Sequence, residues 1–188
     1  MNYLEILGTA LGVLYLYLEY KASAWLWIAS ILMPATYLVV YYDAGLYADF
    51  GISIYYIIAS VYGLVCWLHK SNKDNSEPLK ISHTPNSFLL PLLPVFLGIF
   101  LVLGYILSHF TDSNVPWADA FTTALSIVAM WMLARKYVEQ WLVWIAADVA
   151  CALLYVYKDL WFTGALYLAY AVVAVFGYIK WKRLMNKL

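Results

Sequence analysis

From Glu139 to Lys158 the chain reads Glu-Gln-Trp-Leu-Val-Trp-Ile-Ala-Ala-Asp-Val-Ala-Cys-Ala-Leu-Leu-Tyr-Val-Tyr-Lys. The run between the charged ends is long enough to cross a bilayer as a helix, and its only charged group is Asp148. At about 3.6 residues per turn, gaps of 3, 4 and 7 residues bring Trp141, Trp144, Asp148 and Tyr155 to one face. A charge at the middle of a span costs roughly 2.5–3.5 kcal/mol on insertion scales, so a carboxylate there marks a functional position. The plainer alternative is an Asp148 that is protonated or hydrogen-bonded between helices.

The rest of the chain is of the same kind. Its 188 residues are 65% hydrophobic and 12% charged, and a mean hydropathy of +0.76 excludes an ordinary soluble domain. The first apolar stretch has neither a basic leader nor a small-residue cleavage site and is read as a retained span. Both cysteines, Cys66 and Cys151, fall inside spans, with no sign of a disulfide or a metal site.

Spans of about 20 residues are expected at Tyr3–Tyr20, Ala24–Tyr42, Leu46–Leu68, Phe88–Phe110, Trp117–Leu133, Trp141–Tyr157 and Leu160–Ile179, giving an all-α membrane protein of seven helices. Ten of the eleven basic residues then share the side of the C-terminus: Lys21, Lys70, Lys73, Lys80, Arg135, Lys136, Lys180, Lys182, Arg183 and Lys187. Lys158 alone lies opposite. This bias places the C-terminus in the cytoplasm and the N-terminus outside.

Displacing the sequence on itself by 114 residues lays Glu5 on Asp119, Thr9-Ala10-Leu11 on Thr123-Ala124-Leu125, and Lys21 on Arg135. Tyr56, Gly63 and Trp67 then meet Tyr170, Gly177 and Trp181, with Tyr62 opposite Phe176. In the second member the match slips by about three residues, aligning Trp27-Ile28-Ala29 with Trp144-Ile145-Ala146. The expected organisation is therefore two parallel three-helix repeats, 1–68 and 117–182, with a cytoplasmic loop at 69–86, a linker helix at 87–110 and a tail at 183–188. Parallel repeats of this kind belong to transporters with a substrate site near the bilayer midplane.

Four acidic residues lie in or at the rim of spans. Glu5 and Asp119 begin equivalent helices and are read mainly as capping, a favourable position for a carboxylate on the helix dipole. Asp49 also sits near a helix start, as a cap or the lining of an entrance, and Asp148 is the central acid. Aromatic residues make up 19% of the chain. Trp67 and Trp181 fit the interfacial belt, whereas Trp141, Trp144, Tyr155, Tyr37, Tyr56 and Tyr170 can line an interior. Rings around a carboxylate form a pocket for a flat organic cation.

Enzyme motifs are missing: His69, His83 and His109 are expected in loops, no catalytic residues are assigned, and nothing has the spacing of a metal site. No phosphate-binding loop for ATP hydrolysis is present, no cofactor is implied, and burial and charge exclude nucleic acid.

Leu46-Tyr-Ala-Asp-Phe-Gly51 with Tyr55-Tyr56 and Tyr62-Gly63, together with Glu139-x-Trp141-x-x-Trp144 and Leu154-Tyr155-x-x-Lys158, resemble the PnuC family of vitamin transporters over the whole chain. The resemblance implies a three-plus-one-plus-three fold related to the SWEET sugar transporters, in the bacterial inner membrane. It further implies facilitated diffusion by alternating access, trapping by a separate kinase, and a homotrimeric assembly. It carries over Trp141, Trp144, Asp148 and Tyr155 as substrate contacts, with Ser53, Tyr56, Met33, Tyr37, Tyr167 and Tyr170 as further ones. Glu139 is read as a cap or gate, and Pro34 as a kink near the site.

Relatives resembling nicotinamide riboside carriers have amide side chains where this chain has Met33, Ser53 and Asp148, which makes it more similar to the thiamine branch, PnuT. Thiamine is thus the expected substrate and nicotinamide riboside the alternative. From another class, the alternative is a vitamin-binding subunit of an ATP-driven importer.

Overall fold

Hydrocarbon offers backbone groups no hydrogen bonds, so long apolar runs must satisfy them internally as helices. The computed structural model describes residues 3–43, 47–68 and 79–186. Over these the chain forms α1 (Tyr3–Tyr20), α2 (Trp25–Asp43), α3 (Tyr47–Leu68), α4 (Asn86–Phe110), α5 (Pro116–Ala134), α6 (Gln140–Tyr157) and α7 (Trp161–Met185). Within the described residues α3 to α7 are long and apolar enough to cross a membrane, and Trp25–Val39 of α2 is a shorter apolar helix.

The helices coincide with the seven expected spans, and α7 departs most, running past Ile179 to Met185. Its last turn carries Lys182 and Arg183, cations that suit the negative end of the helix dipole. Hydropathy stops at the first charge, whereas helix formation does not. His109, expected in a loop, lies in the last turn of α4, inside the expected span Phe88–Phe110. His83 precedes α4, and His69 lies outside the described residues.

Two turns are built alike. At the end of α1 the Ser23 N–H donates to Leu18 O (3.0 Å) and the Ala22 N–H to Glu19 O (2.9 Å). At the end of α5 the Tyr137 N–H donates to Met132 O (3.0 Å) and the Lys136 N–H to Leu133 O (2.9 Å). Each pair is a Schellman motif, which requires a left-handed residue past the helix end. Ala22 and Lys136 fill that place with φ of 52° and 55°. They stand in the same 114-residue register found in the sequence. Asp159, at φ 59°, ends α6 in the same way.

The chain divides into two compact units, Met1–Lys80 and Ile81–Leu188. In the first, α2 packs on both α1 and α3. Trp27 lies over Gly63, where a side chain would collide with its ring, and meets Trp67 edge-on at 5.6 Å between centroids. In the second, α6 packs on both α5 and α7, and α4 on α5. There Trp141 lies over Gly177 and meets Trp181 edge-on at 5.7 Å.

Trp27 therefore corresponds to Trp141 and not to Trp144. The three-residue slip expected in the second member does not occur, and the repeat keeps one register from the α1–α2 turn to the tryptophan at the end of its third helix. The misreading came from the Trp-Ile-Ala triplets, where local identity outscored the single tryptophan that faces the glycine.

Rings fasten α4 to α5: Phe88 meets Trp131, Phe96 meets Phe121, and Phe100 meets Trp117 and Phe121. Gly104 leaves room for Trp117. Beneath these rings Val128, Met132 and Tyr137 form a buried cluster.

A methyl group on Gly177 would lie 2.7 Å from ring atoms of Trp141, and that ring is buried. On helix propensity alone, alanine in place of an interior glycine stabilises by up to about 1 kcal/mol. Here overpacking reverses the sign, and Gly177→Ala should destabilise by roughly 1–3 kcal/mol, read as a lower midpoint of thermal unfolding in detergent.

Candidate functional site

A carboxylate within a span needs partners that make its burial tolerable, and in the second unit these partners are rings. Asp148 is 8% exposed and interacts electrostatically with Tyr170 of α7 and Cys151 of its own helix. Tyr170 meets Tyr167 at 5.7 Å, and Tyr167 stacks on Tyr155 at 5.2 Å and 20°. The expected contacts Asp148, Tyr155, Tyr167 and Tyr170 are thus joined across α6 and α7. Cys151 accompanies them, hydrogen-bonded to Thr122 of α5.

The two tryptophans of α6 differ. Trp141, 1% exposed, presses its ring on Gly177 and Trp181, the packing that Trp27 performs in the first unit. Trp144, one turn on, is only partly buried. It has no such glycine seat, and its ring belongs to the face shared with Asp148 and Tyr155.

The first-unit candidates lie on α2 and α3. Met33 is exposed, Tyr37 and Tyr56 are half-buried, and Ser53 is buried. Tyr56 meets Tyr55 edge-on at 5.6 Å, and its carbonyl accepts a hydrogen bond from Ser60 (2.6 Å). Near Tyr56 the structure holds a group that the sequence reading passed over. Glu19, at the foot of α1, is buried and hydrogen-bonded to Tyr15, which also feels Tyr56 electrostatically. Lying beside Tyr20 and Lys21, it reads in sequence as a solvated helix end.

Glu139 does not cap its own helix: α6 has no side-chain cap bond at that residue. Its carboxylate instead holds the segment ahead of α4. Glu139 Oε2 accepts from the Thr84 N–H and the Thr84 hydroxyl, each at 2.8 Å, and Oε1 lies 2.5 Å from His83 Nδ1. Beside it the Ser82 N–H donates to Lys136 O and the Val138 N–H to Ser82 O, forming an isolated bridge. The loop and the α5–α6 turn are thereby stitched together just below the helix that carries Trp144 and Asp148.

Asp119 lies in the first turn of α5, where the dipole reading puts it. No side-chain cap bond starts α5. Asp119 accepts instead from Ser113 Oγ (2.6 Å) and from Lys158 Nζ (3.0 and 3.4 Å), which ties the start of α5 to the end of α6. A sequence offers no rule for pairing residues 39 apart. Glu5 and Asp49 lie in the first turns of α1 and α3, and their side chains are outside the described residues. Among the described residues no group of three or more His, Cys, Asp or Glu side chains could hold a metal ion.

The family model described as nicotinamide mononucleotide transporter matches residues 2–183. The chain belongs to the nicotinamide mononucleotide transporter family. It is similar to the nicotinamide riboside transporter PnuC of Escherichia coli, 22% identical over 96% of this chain and 85% of that protein. It is also similar to the riboflavin/roseoflavin transporter RibM of Streptomyces davaonensis, 24% identical over 94% and 83%. A crystal structure of the vitamin B3 transporter PnuC has the same fold, with a TM-score of 0.73, 22% identity, and coverage of 98% of this chain and 83% of that one. The resemblance to PnuC proteins is shown, and with it the fold. The chain is a multi-pass membrane transporter and not an enzyme.

Burial alone would push the Glu139 carboxyl up, but the hydrogen bonds from His83 and Thr84 hold it below the usual glutamate range. A depressed carboxylate contributes stability above its unfolded-state pKa and loses it as pH falls through the folded value. Glu139→Gln should therefore lower the unfolding midpoint at pH 7, by a loss of about 1–2 kcal/mol. The difference from wild type should shrink as pH falls below the usual glutamate range and vanish once the folded-state carboxyl is protonated, as a pH series of melting curves on both proteins would show.

Proposed function

We propose that this transporter carries a cationic heterocyclic vitamin across the bacterial cytoplasmic membrane by facilitated diffusion, and that nicotinamide riboside is its substrate. The observation that carries this reading is Asp148, buried on α6 with Tyr170 within electrostatic reach and the Tyr155–Tyr167 stack adjoining it. A flat cation in such a place gains both from the ring faces and from the carboxylate. Each aromatic contact supplies roughly 0.5–2 kcal/mol when desolvated. The charge interaction adds about 3 kcal/mol at 5 Å and an effective dielectric near 20.

Several similar proteins are named as nicotinamide riboside transporters, in Escherichia coli, Neisseria mucosa and Haemophilus influenzae. These names support nicotinamide riboside over the thiamine expected from Met33, Ser53 and Asp148. Thiamine is kept as the second reading for one reason: a carboxylate at 148 can accept hydrogen bonds from an aminopyrimidine as well as neutralise a ring cation. The importer-subunit alternative has no comparable support, because those relatives are named as transporters in their own right.

In this reading the substrate contacts are Trp144, Asp148, Tyr155, Tyr167 and Tyr170, with Trp141 fixing the start of α6 against α7. The basic-residue bias puts the C-terminus in the cytoplasm. Glu139 then anchors a cytoplasmic loop, and Lys158 with Asp119 forms a brace at the outer end.

Calorimetry on the purified protein tests the proposal. Wild type should bind nicotinamide riboside more tightly than thiamine, and Asp148→Asn should weaken the binding of either cation by about tenfold or more. Trp144→Ala should weaken both by about three- to tenfold. Unchanged affinity in both variants would place the cation elsewhere, and tighter binding of thiamine would restore the second reading.

A further inference from the structure

Buried polar groups in folded proteins are almost always hydrogen-bonded, and a buried group left unpaired needs a reason. Within five consecutive residues of α6, four buried side-chain atoms have no hydrogen-bond partner among the described residues: Gln140 Oε1, Gln140 Nε2, Trp141 Nε1 and Trp144 Nε1. Gln140 is the extreme case. It is 0% exposed, and both ends of its amide are unused.

The first repeat supplies an internal control. In the common register Gln140 corresponds to Leu26, Trp144 to Ser30, and Ala174 to Ser60. Leu26 is as completely buried as Gln140, so this place in the packing accepts a plain hydrocarbon. Ser30 donates to Ser60 Oγ at 2.8 Å, closing the polar groups of the first repeat on each other. In the second repeat the partner position is the buried methyl of Ala174, and the amide and indole one turn apart are left unmatched. Trp141 is separate from this contrast, because the indole N–H of its counterpart Trp27 is equally unpartnered and belongs to the shared packing.

Gln140 also lies on the face of the proposed site. At about 100° per residue, Gln140, Trp144, Tyr155 and Asp148 fall within an arc of about 80° on α6. Helical side chains lean toward the N-terminus, which brings the indole of Trp144 over the turn of Gln140.

We infer that Gln140, acting with the indole N–H of Trp144, is a substrate-recognition residue. Gln140 precedes Asp148 by eight residues, about 12 Å along the helix, so its amide reads an uncharged end, such as a pair of hydroxyls, of the molecule whose positive ring faces Asp148. The assignment rests on the transport reading above and makes it more specific: the substrate has two ends, one cationic and aromatic, the other polar and neutral. A primary amide offers one acceptor and two donors in a plane and can pair with neighbouring hydroxyls, which both donate and accept. The group is covered in this conformation, as befits one that meets substrate in only one state of a transport cycle.

Gln140→Leu tests the inference, because Leu26 shows that the fold accepts leucine there. Two measurements are made on wild type and variant: the melting midpoint without ligand, and calorimetric affinity for nicotinamide riboside and for an analogue lacking the ribose hydroxyls. Ligand-free Gln140→Leu should melt no lower than wild type, since an unpaired amide is lost. Its affinity for nicotinamide riboside should fall by about tenfold while that for the stripped analogue stays within about twofold. Equal affinity for nicotinamide riboside in both proteins overturns the assignment, as does a clear drop in the ligand-free midpoint that Gln140→Met shares, which would make the amide a structural group. Wild type that binds neither cation overturns the transport reading, and this assignment with it. Wild-type binding with an unaltered variant overturns this assignment alone.

Discussion

An indole seated on a glycine is the contact on which both halves of the molecule depend. In hydrocarbon no hydrophobic force draws helices together, since lipid tails are as apolar as leucine, and association rests on close packing of large surfaces against small ones. Trp27 on Gly63 and Trp141 on Gly177 are that contact, made once in each unit. Each indole is further fixed edge-on by a second tryptophan four residues past the glycine. The cost is an indole N–H left without a partner in both places. The packing sets the middle helix of each repeat against the third, and so decides which residues of α6 face α7.

Against that shared frame, the two repeats differ in their polar groups. Where the first repeat has Pro34 the second has Asp148, and where it has the Ser30–Ser60 pair the second has Trp144 and Ala174. Leu26 is exchanged for Gln140, and Leu133 in the second repeat stands where the first buries Glu19. Most of the unmatched polar chemistry is thus gathered on α6. That helix is fixed at both ends, by Glu139 on the loop before α4 and by Lys158 on Asp119. A binding face held at both ends presents its side chains with little conformational freedom, which lowers the cost of ordering them around a ligand.

The seven spans were legible because bilayer thickness imposes one length on every crossing segment. The repeat was legible at its ends, where Glu5, Lys21, Gly63 and Trp67 have counterparts, but not in its middle, where a Trp-Ile-Ala triplet lay near the true tryptophan. The two left-handed turns at Ala22 and Lys136 carry no glycine and so left no signal. Pairings such as Asp119 with Lys158, or Glu139 with Thr84, depend on which helices are neighbours and are invisible to helical spacing. Asp148, Trp144 and Tyr155 stand out in the sequence as polar and aromatic residues at helical intervals inside an apolar run, and the structure links Asp148 to Tyr155 through Tyr170 and Tyr167. Gln140 does not stand out, because an amide at the start of a helix looks solvated until its burial is seen.

In the transport reading proposed above, one polypeptide, with no energy-coupling partner, moves a cationic vitamin through the membrane. The most direct test reconstitutes the purified protein alone in liposomes and follows radiolabelled nicotinamide riboside added outside. The account predicts that the internal concentration rises to the external one and stops there, with no dependence on ATP. Liposomes that bind the vitamin at their surface without equilibrating it, or that fill only when an ATP-hydrolysing partner is added, would contradict it.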